Sequence, residues 1–437
     1  MSDSSKSIPA KIFAFFSSFG LATSVLAMLL VLTFLGTLEQ AEHGLVASQA
    51  RYFESAFIDR IDVGACWRAL GFNVYWNIGD VSLPLYIVPG GYTLMSLLFV
   101  NMLCGGIVRI RKSPKTIGVI ISHFAILFMI AAGAVTHKFA IEGSLNLREG
   151  QTGDEFQSFH DRVIEIEKLQ TDPKAKRSVL VIDEAKYRDA TAAGQGRTFT
   201  HESLPFDLII AGWKKNAQPK RDASGSRADA VDGYFIQEMP QLDKEGAAMA
   251  DEQLASACIA IAKDKKGGAV HNGILWEFAA APWTVTVGED KYLISLVHRT
   301  YKLPFAVRLD EAKEEKHPGT ERARLFSSKV TKITGDHEEK RYITMNEPVR
   351  SEGYAVFQST FSSGVQDGTG VKSSGFMIVE NPADHWPLIS CIIVAEGLLL
   401  HFLMMLARFI KVNPWSFALS LIAAFNAAFA LAMWKLL

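Results

Sequence analysis

The sequence of 437 residues has few cysteines and lacks several motifs of well-known enzyme chemistries. Its 4 cysteines form no CxxC and no CxxCH, which argues against a thiol oxidoreductase and excludes a c-type cytochrome. There is no P-loop, no GxGxxG after a strand and no GxSxG, so phosphate and acyl-transfer chemistry have no basis. The net charge of -1 leaves no basic surface for nucleic acid. The sequence itself assigns no catalytic residue.

Charge is also scarce in five long stretches, where the one charged side chain is Glu396 of the fourth. Each contains about 20 mostly apolar residues, which is enough to cross a bilayer as a helix. The stretches lie at residues 13–36, 85–108, 116–136, 387–407 and 414–434. The first is too long for the apolar part of a signal peptide and is interpreted as an uncleaved anchor. We therefore predict an α-helical membrane bundle of about five spans.

Between the third and fourth stretches the composition is that of a globular domain of about 250 residues. Short β-branched and aromatic runs alternate there with turn residues, which predicts a large, mainly antiparallel β domain at residues 140–386. Helical spacing of apolar residues predicts one inserted helix near 245–263. The β domain would separate an N-terminal membrane region, 1–139, from a C-terminal one, 387–437.

Two basic loops indicate how the spans are oriented. "RIRKSPK" at 109–115 joins the second and third stretches, and "ARFIK" at 407–411 joins the fourth and fifth. Because loops rich in Lys and Arg stay in the cytoplasm, the N-terminus is expected inside and the β domain outside. Cys66 and Cys258 would then both face an oxidising compartment. One disulfide and two buried thiols are the alternatives, and buried thiols are preferred.

An ionisable residue, His123, lies within the third stretch, where any such side chain is a candidate functional residue. His401 in the fourth stretch and Asn101 in the second fall at a similar depth, counted at about 1.5 Å per residue from the inner ends. Two alternatives remain open for His123. It could hydrogen-bond a neighbouring helix, or it could bind a ligand.

Several motifs together resemble the ResB (CcsB) family over nearly the whole chain to about residue 407. They are "GTLEQ", "PGGY", "LFVNMLCGGIVR" and "GVIISHFAILFMIAAGA" in the membrane regions, and "HPGT", "FSS", "MNEP" and "GYAVFQS", in that order, in the β domain. The resemblance implies one subunit of the system II cytochrome c synthase in the bacterial inner membrane. With a ResC/CcsA-type partner it would export haem b and attach it to CxxCH motifs of apocytochrome c. The fifth stretch departs from the family's four spans.

The resemblance also implies roles for individual residues. His123 corresponds to an axial ligand of the haem iron. By their similar depth, and not by the resemblance, Asn101 is a candidate amide that orients the imidazole, and His401 is a candidate for the second ligand, which in the family comes from the partner. Arg322 and Arg324 would bind the partner or the apocytochrome, or they belong to a solvated strand face. Whether this chain is itself an enzyme stays open, because catalysis is expected to be centred on the partner.

A different class of function is the alternative. The chain could be a membrane-anchored extracytoplasmic scaffold or sensor without haem chemistry, which its composition alone would favour. The two hypotheses differ in one simple observation. A haem-handling protein extracted from the membrane should show a Soret band, and a scaffold should be colourless.

Overall fold

The computed structural model divides the chain into two compact units. We call them the helical unit, 1–139 with 382–437, and the β unit, 140–381. The structure describes residues 7–74, 76, 78–84, 88–170, 178–192, 196–223, 225, 227, 229–242, 248–320, 322–364 and 370–412.

The helical unit contains six α-helices within the described residues, of which four belong to segments long and apolar enough to cross a membrane. The helices are α1 (Ile8–Phe16), α2 (Phe19–Ser48), α3 (Val63–Ala69), α4 (Gly91–Asn101), α5 (Ile117–Phe139) and α6 (Trp386–Val412). The four segments are Phe19–Phe53, Gly91–Arg109, Pro114–Phe139 and Trp386–Val412. They confirm the first four predicted spans, while the fifth, 414–434, lies outside the described residues.

A buried carboxylate in α2 holds the segment that follows this helix; α2 continues past the predicted boundary at residue 36 and is kinked at Gly44, where φ is 77°. Glu39 is fully buried and is paired with Arg51. It also accepts hydrogen bonds from the Tyr52 hydroxyl at 2.5 Å and from the Asp62 N–H at 2.6 Å. Asp62 in turn contacts His43 at 2.8 Å. The segment after α2 is therefore folded back onto the helix by groups that satisfy an otherwise costly buried charge.

The β unit is mainly antiparallel, as predicted. Two of the described strands, β1 (Arg60–Asp62) and β2 (Ser82–Pro84), belong to the helical unit and form a small antiparallel pair there. The β unit contains β3 (Ile141–Arg148), β4 (Thr152–Lys168), β5 (Val179–Asp183), β6 (Arg197–Phe199), β7 (Phe206–Lys214), β8 (Ala217–Arg221), β9 (Tyr234–Glu238), β10 (Ala257–Asp264), β11 (Val270–Trp276), β12 (Trp283–Val287), β13 (Asp290–Lys316), β14 (Ala323–Thr334), β15 (His337–Thr344), β16 (Val349–Ser351), β17 (Tyr354–Ser362) and β18 (Ser373–Glu380).

These strands form one ten-stranded sheet, in the order β15-β14-β13-β4-β3-β18-β17-β16 with β12 on β13 and β5 on β4, and one four-stranded sheet, β11-β10-β7-β6. A separate hairpin pairs β8 with β9. The long strand β13 serves two hydrophobic cores. Its first half buries Ile294 against the four-stranded sheet, and its second half buries Phe305 in a second core. Its register with β4 shifts around Pro304, which has no N–H to donate to the ladder.

The inserted helix predicted near 245–263 is wrong for its described part, because residues 257–264 form strand β10. Cys258, Ala260 and Ala262 are fully buried at every second position, which is the period of a strand. Alanine favours helices, but the pairing of β10 with β7 and β11 on both sides outweighs that local preference. Residues 243–247 of the predicted helix lie outside the described residues.

Cys66 and Cys258 are both free and buried, in agreement with the preferred prediction. Burial, reinforced by the Glu39 and Asp62 carboxylates, raises the pKa of the Cys66 thiol to about 11. Burial also raises the pKa of Cys258. Both thiols are therefore neutral at physiological pH and unreactive as nucleophiles.

A buried ionic cluster joins the two sheets of the β unit. Glu277, which follows β11, is paired with Arg162 of β4 at 2.9 Å and with His298 of β13. The Arg162 guanidinium also donates to the Asp251 and Leu254 carbonyl oxygens, at 2.6 and 3.2 Å. Burial disfavours the ionised carboxylate, but the bonds from His298, the Ser256 N–H and Arg162 lower the pKa of Glu277 overall. The cluster holds the four-stranded sheet in register with the larger one.

This cluster predicts how the β unit responds to acid. A carboxyl group whose folded pKa lies below its unfolded value of about 4.3 stabilises the fold above that pH and loses this contribution as the pH falls through its folded pKa. Glu277→Gln should cost about 3 kcal/mol at neutral pH by leaving Arg162 partly unpaired, and should cost less as the pH falls. Cys258 reports the opening directly in a variant whose other three cysteines are serine, through its labelling by a pyridyl disulfide.

The matched control is Glu311→Gln, because Glu311 pairs with Lys329 on the exposed face of the same sheet. Labelling of Cys258 should be much faster in Glu277→Gln at neutral pH and nearly unchanged in Glu311→Gln. Equal labelling in all three proteins would contradict the assigned role of the cluster.

Candidate functional site

The first feature near the predicted site residues is a break between α1 and α2. The Ser18 hydroxyl caps α2 by accepting the Leu21 N–H at 3.1 Å. The last carbonyl groups of a helix have no partner within that helix, and Phe16 is the last residue of α1. The Asn101 side-chain amide donates to the Phe16 oxygen at 2.8 Å and to the Ser18 oxygen at 3.0 Å, which also accepts the Ala22 N–H at 3.4 Å. Asn101 is buried and ties the end of α4 to the break.

The structure gives no hydrogen bond between Asn101 and Nδ1 of His123, and an orienting role for Asn101 stays a prediction. Its amide nitrogen is used for two carbonyl groups of the first helices, and Nδ1 of His123 has no hydrogen-bond partner in the described part of the chain. The two residues match by depth alone. The break is not evident from the sequence, because two serines in an apolar stretch do not by themselves indicate an interrupted helix.

His123 instead contacts a π-helical segment, Met102–Arg109, that continues α4. A Cβ atom at Gly106 would lie 3.0 Å from Cγ and 3.1 Å from Nδ1 of His123, so the imidazole rests directly on the glycine backbone. At the neighbouring Gly105 a Cβ atom would lie 3.1 Å from the Ser17 oxygen. Two adjacent glycines thus let this segment approach the helix break on one side and His123 on the other. Short π-helical segments occur frequently at functional sites.

His401 lies where α5 and α6 cross. A Cβ atom at Gly118 would lie 2.5 Å from the Gly397 oxygen and 2.8 Å from the His401 nitrogen, so the two backbones touch there. The Ser122 hydroxyl donates within α5 to the Gly118 oxygen at 3.0 Å. Small residues of this kind allow close packing of transmembrane helices. The crossing places His401 against one face of α5.

The two histidines share one feature. Nδ1 of His123 and Nδ1 of His401 are both buried, and neither has a hydrogen-bond partner among the described residues, where Nδ1 of His298 in the β unit is a third such imidazole nitrogen. Leaving a buried polar atom unpaired costs about 1–3 kcal/mol, and such atoms in folded proteins are few. The structure shows no hydrogen bond or ring contact between these two imidazoles. They are separate candidate ligands on two adjacent helices.

Protein side chains alone do not form a metal site in the described residues, since no group of three or more His, Cys, Asp or Glu side chains is close enough together. One or two isolated imidazoles are sufficient for a metal that brings most of its own ligands, as the iron of haem does. The arrangement therefore fits haem better than a bare metal ion.

Arg322 and Arg324 lie at the tip of the β13–β14 hairpin and are exposed. The turn is closed by the His317 N–H, which donates to the Arg322 oxygen at 3.0 Å. This exposure is compatible with both alternatives, a docking surface and a solvated strand face. Their role in binding a partner stays a prediction.

Gly106 and Arg109 were not predicted as functional residues, although both lie in a quoted motif, "LFVNMLCGGIVR". The Arg109 guanidinium donates to the Ser17 carbonyl at 3.1 Å and to its hydroxyl at 3.2 Å. The signal that could have found them is the glycine pair one turn before an arginine at the end of an apolar stretch. It was interpreted only as the end of a span.

In the β unit, several of the quoted motifs meet in the second core. The Ser328 hydroxyl of "FSS" donates to Gln358 of "GYAVFQS" at 2.6 Å and lies 2.8 Å from the Ser374 hydroxyl. All three side chains are buried, and the rings of Phe326 and Phe361 stack beside them at 5.7 Å. These motif residues connect β14, β17 and β18.

Comparison with known proteins identifies the same part of the β unit. Residues 283–372, from β12 to just before β18, match the model of the ResB-like family. A search of curated proteins finds no match. The resemblance to the ResB family is thereby confirmed over residues 283–372.

Proposed function

We propose that the protein is a subunit of a membrane cytochrome c synthase that holds haem b for transfer to apocytochrome c. The ResB-like segment suggests a role in cytochrome c biogenesis. The observation that carries the haem role is the pair of buried, unpartnered imidazole nitrogens in helices α5 and α6. Imidazole is a common axial ligand of haem iron, and haem itself supplies the chemistry that the protein positions.

His123 is the first ligand in this proposal. Its ring lies against Gly106, where the Cβ of any other residue would press on the imidazole, so glycine at this position permits the placement of the ring. His401 is the alternative to a partner residue as the second ligand. No residue of this chain is assigned to thioether formation, which is left to a ResC/CcsA-type partner.

His123→Gly should test the first ligand. It should remove most of the bound haem and most of the c-type cytochrome yield, because the axial position loses its nitrogen donor. Added imidazole should partly restore both by occupying that position. Haem is measured by the Soret band of the membrane-extracted protein.

The control is His137→Gly, because His137 is also on α5 but contacts Tyr92 at 2.7 Å near the other end of the helix. It should keep its haem. Full haem content in His123→Gly would reject the assignment, and a colourless wild-type protein would favour the scaffold alternative.

The proposal includes a location in the bacterial inner membrane with the β unit outside the cytoplasm. The support is the charge of the loops at 109–115 and 407–411, because Lys and Arg remain on the cytoplasmic side. Alkaline phosphatase fused after Glu149 should be active, and a fusion after Lys112 should be inactive. The reverse pattern would overturn the orientation.

We also assign Arg322 and Arg324 to partner docking, since they form an exposed basic hairpin tip within the ResB-like segment. Changing both to Glu should reduce recovery of the ResC/CcsA-type subunit with this chain at least about tenfold, as expected when like charges replace complementary ones at an interface. Arg221→Glu is the control, because Arg221 is exposed in the same unit outside that segment. Unchanged recovery in the double variant would favour a solvated strand face.

A further inference from the structure

Arg109 is the last residue of the π-helical segment and lies three residues after Gly106, which contacts His123. Three residues correspond to about 4–5 Å along a helix axis, so the guanidinium is attached within one turn of the proposed haem ligand. Its side chain is partly exposed. The position is therefore close to His123 and accessible.

The guanidinium is also held in a fixed orientation. Its Nη1 atom donates both to the carbonyl and to the hydroxyl of Ser17. Gly105 permits this approach, because a Cβ atom there would lie 3.1 Å from the same carbonyl oxygen. With Nη1 engaged, the edge formed by Nε and Nη2 makes no ion pair with a carboxylate of the described residues. A guanidinium edge of this kind is suited to binding a carboxylate through two parallel hydrogen bonds.

We propose that Arg109 binds a carboxylate of the tetrapyrrole held at His123. This inference rests on the proposed function. Haem b carries two propionate groups at one edge of the ring, and anionic groups within a membrane need a cationic partner. Arg109 meets that need at the end of the span, and its anchoring to Ser17 reduces the rotamer entropy lost on binding. Arg109 is a binding residue that reads the acid groups, while His123 binds the iron.

A simpler role must be distinguished from this one. Arg109 could act only as a structural lock on the α1–α2 break, in which case its loss would disturb the site for any tetrapyrrole. The two roles differ for a ligand without acid groups. Haem b dimethyl ester keeps the iron and the ring but has no carboxylates, so it separates recognition of charge from general integrity of the site.

The experiment titrates the full-length protein in detergent with haem b and with its dimethyl ester. The wild type should prefer the acid form. Arg109→Gln should weaken binding of haem b about tenfold or more, the expected value of a hydrogen bond to a charged group, and leave binding of the ester unchanged. Arg109→Lys should retain part of the preference. Arg111→Gln, an equal charge change two residues further on, should retain all of it.

The Soret position reports ligation by His123 and should be unchanged in Arg109→Gln. Equal weakening of the acid and the ester in that variant would overturn the proposal in favour of a structural lock, and an unchanged preference would overturn it in favour of a solvated cation. In both cases a His123-dependent haem band in the wild type would leave the proposed function intact. Absence of haem binding by the wild type would refute both.

Discussion

The helical unit is governed by the absence of water from a hydrocarbon environment. A polar atom there must find its partner within the protein, or it costs several kcal/mol. Asn101 and Arg109 donate to carbonyl groups at the helix break, and Glu39 is satisfied by three groups, from Arg51, Tyr52 and Asp62, nearer the other end of α2. In the described part of the helical unit, the buried side-chain atoms without a partner are the Nδ1 atoms of His123 and His401 and the Ser48 hydroxyl. Of these, the two imidazole nitrogens are of the type that commonly binds a metal.

Glycine is the means by which these polar groups reach one another. At Gly105, Gly106 and Gly118 a side chain would collide with the backbone or ring of another helix at about 3 Å or less. Each close approach brings a specific group into place: the Ser17 carbonyl, the His123 ring and the His401 backbone. The distance between the helices is thus set by glycines, which have no side chain. That distance determines where the polar groups lie.

Much of the architecture could be predicted from local patterns. The four described spans follow from apolar length, and the antiparallel β unit follows from alternation and turn residues. His123 and His401 could be selected because an ionisable residue in a span is rare. The features that local patterns did not predict involve long-range contacts. Strand β10 formed where Met249, Leu254, Cys258 and Ile261 gave a helical signal, and Asn101 donates to a break 83 residues away along the chain. No local window contains the partner that decides such cases.

The family signature and the candidate site rest on different physics. Ser328 and Gln358, from motifs that carry the resemblance, are buried and hydrogen-bonded to each other, so they specify how β14 and β17 meet. The matching segment of the β unit is therefore recognised by residues that determine its fold, and a fold supports many functions. The proposed haem role depends instead on His123 and Arg109, which lie outside residues 283–372. Since neither residue contributes to the match, ligand binding at these two positions provides evidence of function that is independent of family membership.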